Sequence, residues 1–265
     1  PPKSASARLA SDPESMSARE PSASHACNYE LHAPYDLAMS TETDGRRRAA
    51  ATRRRAREAD IIAATRSLFD AKGVRDAQIE DIATAVGINR AIVYRHFTGK
   101  EELFALTLVS YLDELRAALT TASDAQTAPP ERLTAIVEAF VQYGVSHPAF
   151  VDCAQSLMRR TGGDLLDEIS EGALFRLGRG ISSCLAVLSA ALESGVASGD
   201  FTTSDDPVLL ANLLYASGLG ALQLARVGIL VKEAAPGIPT VGEISAAQVS
   251  SHLVASALAL AGSRA

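Results

Sequence analysis

The chain has 265 residues, is 47% hydrophobic with few aromatics and no Trp, and carries a net charge of −6. Such a composition supplies a sizeable core and fits a helical protein rich in Ala and Leu, while no uninterrupted apolar run approaches the roughly 20 residues needed to span a bilayer. Cys27, Cys153 and Cys184 are scattered and unpaired in sequence, and the five His residues show no ligand spacing, so a disulfide framework, a structural zinc site and a metal are not expected, and a reducing cytoplasm is.

Residues 1–44 are rich in Ser, Ala, Pro and acidic side chains and lack periodicity. A segment of this kind buries too little apolar surface to offset its chain entropy, and is expected to be disordered. It has no continuous apolar core of the secretory type. Met39 stands just ahead of the basic run, where a more compact chain would begin.

At Arg46 the composition changes abruptly. Arg46, Arg47, Arg48, Arg53, Arg54, Arg55 and Arg57 follow one another with no acid among them. Taken alone this is a solvated basic tail; next to an element that binds a polyanion it would read as a flexible arm that follows phosphates or enters the minor groove. A helix is predicted from about Ala56 to Lys72, with Ile61, Ile62, Leu68 and Phe69 as its buried stripe and Gly73 as its stop.

The stretch Gln78–Lys100 then holds two short helical patterns separated by a tight turn. Ile79, Ile82, Ala83 and Val86 give the first one apolar face, with Asp76 as its expected cap, and Gly87 ends it. Asn89 caps the second, Val93 and Phe97 face inward at i and i+4, and Arg90, Ala91, Ile92, Tyr94, Arg95 and His96 lie away from that seam. No carboxylate occurs between Val86 and Lys100. Two helices so joined form a helix-turn-helix, and the uniformly cationic second helix suits a polyanion.

Ile82-Ala83, Val86-Gly87-Ile88, Tyr94, His96-Phe97, Lys100 and Leu103 resemble the DNA-binding signature of the TetR family of transcriptional regulators, over about fifty residues from Ala56 to Leu103. The resemblance implies that Tyr94, His96 and Lys100 hold phosphates and that Asn89, Arg90, Ala91 and Ile92 face base edges. Gln78 stands where the family commonly has a hydroxyl on the phosphate, and Glu80 where some members present a cation. Residues 45–100 carry 13 Lys or Arg against 6 Asp or Glu, a net of +7, so the overall negative charge hides a cationic head on an acidic body.

Beyond the head the sequence predicts helices from Leu103 toward Ala122, from Glu131 to Ser146, and from the His147-Pro148 break to Arg160. A longer pattern runs from Asp164 to about Val196, interrupted near Gly172, and the last two helices span Pro207–Val227 and Ser245–Ala261. The final pair is apolar round most of its circumference, with small residues at Ala216, Gly218, Gly220, Ala221, Ala255, Ala257 and Ala259. Such helices are covered either wholly within one body or by a second chain. The resemblance implies the latter, a homodimer on a palindromic or pseudo-palindromic DNA operator.

No phosphate-loop, dinucleotide, nucleophile-elbow or zinc-protease motif occurs. The expectation is an all-α protein, with an extension at 1–44, a DNA-binding domain at 45–100 and a ligand-binding and dimerisation domain at 101–265. It would act without a cofactor as a regulator, in the sense of a repressor, controlled by a small apolar or amphipathic effector. Tyr143, Cys153, Phe175, Asn212 and Tyr215 are the candidate pocket residues, with Asn212 and Tyr215 alternatively bonded at a dimer seam. A ligand-independent DNA-binding protein and an enzyme with a DNA-binding head are the competing classes.

Overall fold

The structure is a computed structural model that describes the backbone of residues 35–160 and 162–263, with side chains from residue 45 onward apart from 161, 162 and 164. The chain divides into two units at Arg48/Ala49. Of the first, the described part is the beginning of helix α1, on which Arg46, Arg47 and Arg48 are exposed.

Helix α1 spans Tyr35–Lys72. This corrects two expectations: residues 35–44 are helical and not disordered, and the arginine run is a stretch of helix and not a flexible arm. The expectation for 1–34, including Cys27, lies outside the described residues. Ala and Arg are strong helix formers, and the ladder is braced by Arg54 Nε donating to Glu58 Oε1 at 3.1 Å and by Arg57 paired with Asp60 at 3.9 Å. Gly73, at φ 85°, ends it.

Helices α2 (Ile79–Val86) and α3 (Arg90–His96) complete the head. Ile61, Phe69, Ile79, Ile82, Val93 and Phe97 close its core. Helix α4 (Lys100–Asp124) leaves the head and becomes the central helix of the body, packing against α5 (Pro129–Ser146), α6 (Pro148–Met158) and α8 (Glu171–Ser198). The short α7 (Gly162–Glu168) is separated from α8 at Ile169 and Ser170, and Ser170 caps α8 by accepting from Ala173 N. By length and composition α8 and α9 (Pro207–Val227) are apolar enough to cross a membrane. Here they are bundle walls: Leu177, Cys184, Leu188 and Leu192 of α8, and Leu210, Leu214 and Leu222 of α9, are buried.

The described fold is helical apart from two antiparallel strands that the sequence reading did not foresee. They are β1 (Ile229–Ala235) and β2 (Ile238–Glu243), inserted between α9 and α10 (Ala246–Ala261). Val231 lies opposite Val241 and Ala235 opposite Ile238, with a bulge between Glu233 and Ala235. Pro236-Gly237, with Gly237 at φ 78°, makes the turn; Pro presets φ at the first corner and Gly alone accepts the positive φ at the second.

The head is tied to the body through side chains. Phe69 meets Phe104 edge-on at 4.7 Å, Tyr111 Oη donates to Asp70 Oδ1 at 2.7 Å, and Arg66 lies over the Tyr111 ring while pairing with Glu114. The Tyr143 hydroxyl lies 3.0 Å from the Tyr111 carbonyl and 3.2 Å from Glu114 Oε2, which extends the network to α5. Burial and the Glu114 charge push the Tyr143 hydroxyl well up, so it serves as a neutral donor. A second tie lies at the exit of α3. Glu102, buried at the first turn of α4, accepts from Thr98 N at 2.5 Å, from Thr98 Oγ1 at 2.6 Å and from the Ser170 hydroxyl.

Candidate nucleic-acid interface

The helix-turn-helix is built by local rules. Gly87 at φ 70° closes α2, with its N–H and that of Ile88 returning to Thr84 and Ala83 carbonyls, and Asn89 restarts the chain by accepting from Ile92 N at 3.0 Å. The cap expected of Asp76 is not formed. Gln78 is itself the extended residue before α2, makes no side-chain cap bond and is exposed, because the chain enters α2 later than the Asp76 reading requires.

With Val93 and Phe97 sunk into the head core, helical geometry turns Arg90, Ala91, Tyr94 and Arg95 to the surface and leaves Ile92 half-buried at the seam. The Arg90 guanidinium is not idle: Nη1 donates to Glu80 Oε1 at 2.6 Å and Nη2 to the Tyr94 hydroxyl at 3.3 Å. Glu80 therefore faces the recognition helix and orients its first cation. Asn89 spends its carbonyl oxygen on the cap, leaving its amide N–H groups as donors.

His96 is more enclosed than its position on the cationic face suggests. Its Nδ1 is buried without a hydrogen bond and lies 3.7 Å from Glu58 Oε1, the carboxylate that Arg54 also holds. Lys100 opens α4 and extends over the Phe104 ring at 4.9 Å, half-buried. Arg53, Arg54 and Arg55 are exposed along α1. The first turn of α3 has no acid and its last turn holds Arg95 and His96, so the helix offers an anion its N–H groups and cations alike.

The five candidate pocket residues do not converge. Tyr143 belongs to the α1–α4–α5 network. Phe175 is 70% exposed, and Asn212 is exposed with its amide returned to the Val208 carbonyl at 2.8 Å. Cys153 is buried beside a separate cleft at the foot of the head, near Phe104 and Leu157. Only Tyr215 lines the cavity inside the bundle, of about 50 Å³, whose walls include Leu115, Phe140, Cys184, Leu188 and Gly218. The sequence signal for those walls is only the inward register of each helix, shared by every other core position. Cys184 donates to the Leu112 carbonyl, and burial pushes its thiol up to about 12, so it packs as a neutral group. Among the described residues no cluster of His, Cys, Asp and Glu is arranged to hold a metal.

Residues 61–106 match the family described as bacterial regulatory proteins, tetR family. Over 115 residues the chain is 30% identical to the HTH-type transcriptional activator FasR of Mycolicibacterium smegmatis, covering 41% of this chain and 52% of that protein. It is also 30% identical over 104 residues to the HTH-type transcriptional repressor KstR2 of Mycobacterium tuberculosis, covering 39% and 52%. The chain thus spans about half the length of these curated relatives. The fold itself extends further. A tetR-family regulatory protein from Rhodococcus RHA1 superposes with a TM-score of 0.57 at 22% identity, over 78% of this chain and 98% of that one. A FadR regulator from Bacillus subtilis, in complex with stearoyl-CoA, superposes at 0.55 and 13% identity over 77% and 98%. The cationic helix and its glycine turn thus belong to a tetR-family DNA-binding segment, and the helical body shares the fold of these solved regulators.

Proposed function

We propose that this protein is a cytoplasmic, sequence-specific DNA-binding regulator that reads a two-fold operator as a homodimer and answers to a small apolar or amphipathic effector. The observation that carries the reading is the outward face of α3, where Arg90, Ala91, Tyr94 and Arg95 are exposed on a helix held rigid by Val93 and Phe97. A helix of this kind seats in a major groove, Arg90 and Asn89 toward base edges and Tyr94, Arg95 and Lys100 toward phosphates. Gln78 at the start of α2 and Arg53 to Arg55 on α1 add backbone contacts. The relatives include an activator and a repressor.

Effector control rests on the cavity. At about 50 Å³ it is far below the roughly 300–1,000 Å³ of a drug-sized site, so such a ligand enters only an arrangement in which α4, α5, α8 and α9 stand further apart. That difference is what linkage requires. A ligand that binds the wider form better by about 2–3 kcal/mol lowers affinity for DNA in the other form by roughly 30- to 150-fold. Helix α4 runs from that cavity to the head and transmits the spreading. The walls hold no charged side chain, which selects an apolar compound with at most one polar group for Tyr215. The same small volume also favours a ligand-independent regulator as the second reading.

Operator titration tests the DNA reading: Arg90→Ala should relax preference at one position per half-site, and Lys100→Ala should weaken binding to all sequences alike. If both variants bind as the parent does, the interface is not on α3. Repeating the titration with saturated fatty acids of increasing chain length separates the two regulatory readings. A shift in operator affinity that Leu188→Phe, which adds bulk to the cavity wall, abolishes supports the effector; no shift at any length supports the ligand-independent protein.

A further inference from the structure

The hairpin β1–β2 is exposed along nearly its whole length. Val231 is 80% and Val241 71% exposed, and the two lie directly opposite each other, with Ile229 on the same face. Two strands alone are marginally stable in water, and an uncovered apolar face on such a ribbon requires a partner. On the same chain, a groove of about 610 Å³ lies between the end of α4, α5 and the start of α10. Its walls are mostly small apolar side chains, Ala122, Ala135, Ala139, Val145 and Ala246 among them. Knob and hole are therefore carried together, which is the self-complementarity that a two-fold dimer uses.

Two observations make the occupant a second copy of this chain. The hairpin begins immediately after α9, whose outward stripe of Leu209, Leu213, Leu224 and Val227 is itself exposed, so the apolar surface is continuous from helix to strand. The middle of the helical face is Ala216, Gly220, Ala255 and Ala259, side chains that supply little area, whereas a stable interface takes about 800 Å² and 20–30 residues from each partner. Residues 229–243 make up that shortfall.

We propose that the hairpin is a dimerisation arm whose Val231–Val241 face seats in the alanine-lined groove of a second copy, that copy's hairpin seating in the groove of the first. The proposal rests on the dimer reading above. It adds to paired helices an exchanged element that locks the spacing of the two heads.

Sedimentation equilibrium of the full chain tests it. Val231→Asp/Val241→Asp changes only exposed side chains, so circular dichroism should be unaltered while the dimer dissociation constant rises at least about 100-fold. Val145→Asp, an exposed side chain of the groove wall, should weaken the dimer as the valine pair does. A parent that stays monomeric at every concentration overturns both the dimer and the arm. A parent dimer that Leu213→Asp dissociates but Val231→Asp/Val241→Asp leaves at the parental constant overturns the arm alone. Dissociation by the valine pair with the parental constant kept in Val145→Asp overturns the groove as its seat.

Discussion

Replacing Glu102 by Gln tests whether the exit of the recognition helix is clamped to the body. The carboxylate is 5% exposed and takes the Thr98 N–H, the Thr98 hydroxyl and the Ser170 hydroxyl. Burial by itself would raise its pKa, but the bonds from Ser170 and Thr98, with the positive charge of Arg176, outweigh this and hold it below the ordinary carboxylate value. Bonds to a charged acceptor are worth about 1.5–3 kcal/mol and neutral ones about 0.5–1.5. Gln keeps one acceptor oxygen and turns the other into a donor facing a hydroxyl, so the expected loss is about 2 kcal/mol. In a chain of this size that lowers Tm by about 4–8 °C.

The pH dependence follows from the depressed pKa. Stability contributed by Glu102 is fully present above the unfolded-state value near 4.3 and is lost as pH falls through the lower folded value. The gap between parent and Glu102→Gln should therefore be full at neutral pH and shrink under acid conditions. Thermal melts at pH 7 and at about pH 3.5 measure it. Hydrogen exchange should show faster opening at Thr98 and Leu103 in the variant. Equal melting temperatures at pH 7, or a gap that persists unchanged in acid, would refute the clamp.

Glu80→Gln frees the Arg90 guanidinium and removes a negative charge from the DNA-facing surface, so operator affinity should rise a few-fold with a loss of discrimination, read by competition against mismatched sites. Replacing Arg53, Arg54 and Arg55 by Gln should flatten the slope of log affinity against log salt by about 0.9 for each phosphate no longer neutralised, up to about three per head; an unchanged slope leaves that part of α1 off the DNA. Gly195→Ala places a methyl well inside van der Waals distance of the Phe201 ring, which cannot yield within the turn it closes, and should cost about 1–3 kcal/mol in denaturant unfolding. Gly172→Ala, in open space at an exposed position of α8, is the control and should leave stability equal or slightly higher.

Much of the head is legible in the sequence because its signals are local. Gly87 needs positive φ, Asn89 needs only the N–H three residues on, and the i, i+4 pair of Val93 and Phe97 fixes which side chains face outward, whatever the rest of the chain does. The body helices are legible for the same reason, their ends marked by Pro129, Pro148, Gly199 and Pro207. The hairpin also has a local signal, Pro236-Gly237 between alternating apolar residues, but it is outweighed by the strongly apolar helices on either side. The extent of α1 is not readable in this way, since a run of Arg and Ala is a good helix and a good solvated tail alike.

What tertiary structure alone decided is which inward-facing residues meet. Tyr143, Cys153 and Tyr215 have similar apolar surroundings in sequence, yet one joins the Arg66–Glu114 network, one backs the cleft below the head and one lines the cavity, because helix crossing angles and rotation set their neighbours. The pairing of Glu80 with Arg90 and the clamp of Ser170 on Glu102 are of the same kind, the latter joining residues 68 apart. The sequence by itself determined a cationic helix-turn-helix on an acidic helical body, because caps, turns and periodicity act within a few residues. The clamp, the cavity and the exposed face of the hairpin were decided only by packing, because each is a relation between elements that no local pattern encodes.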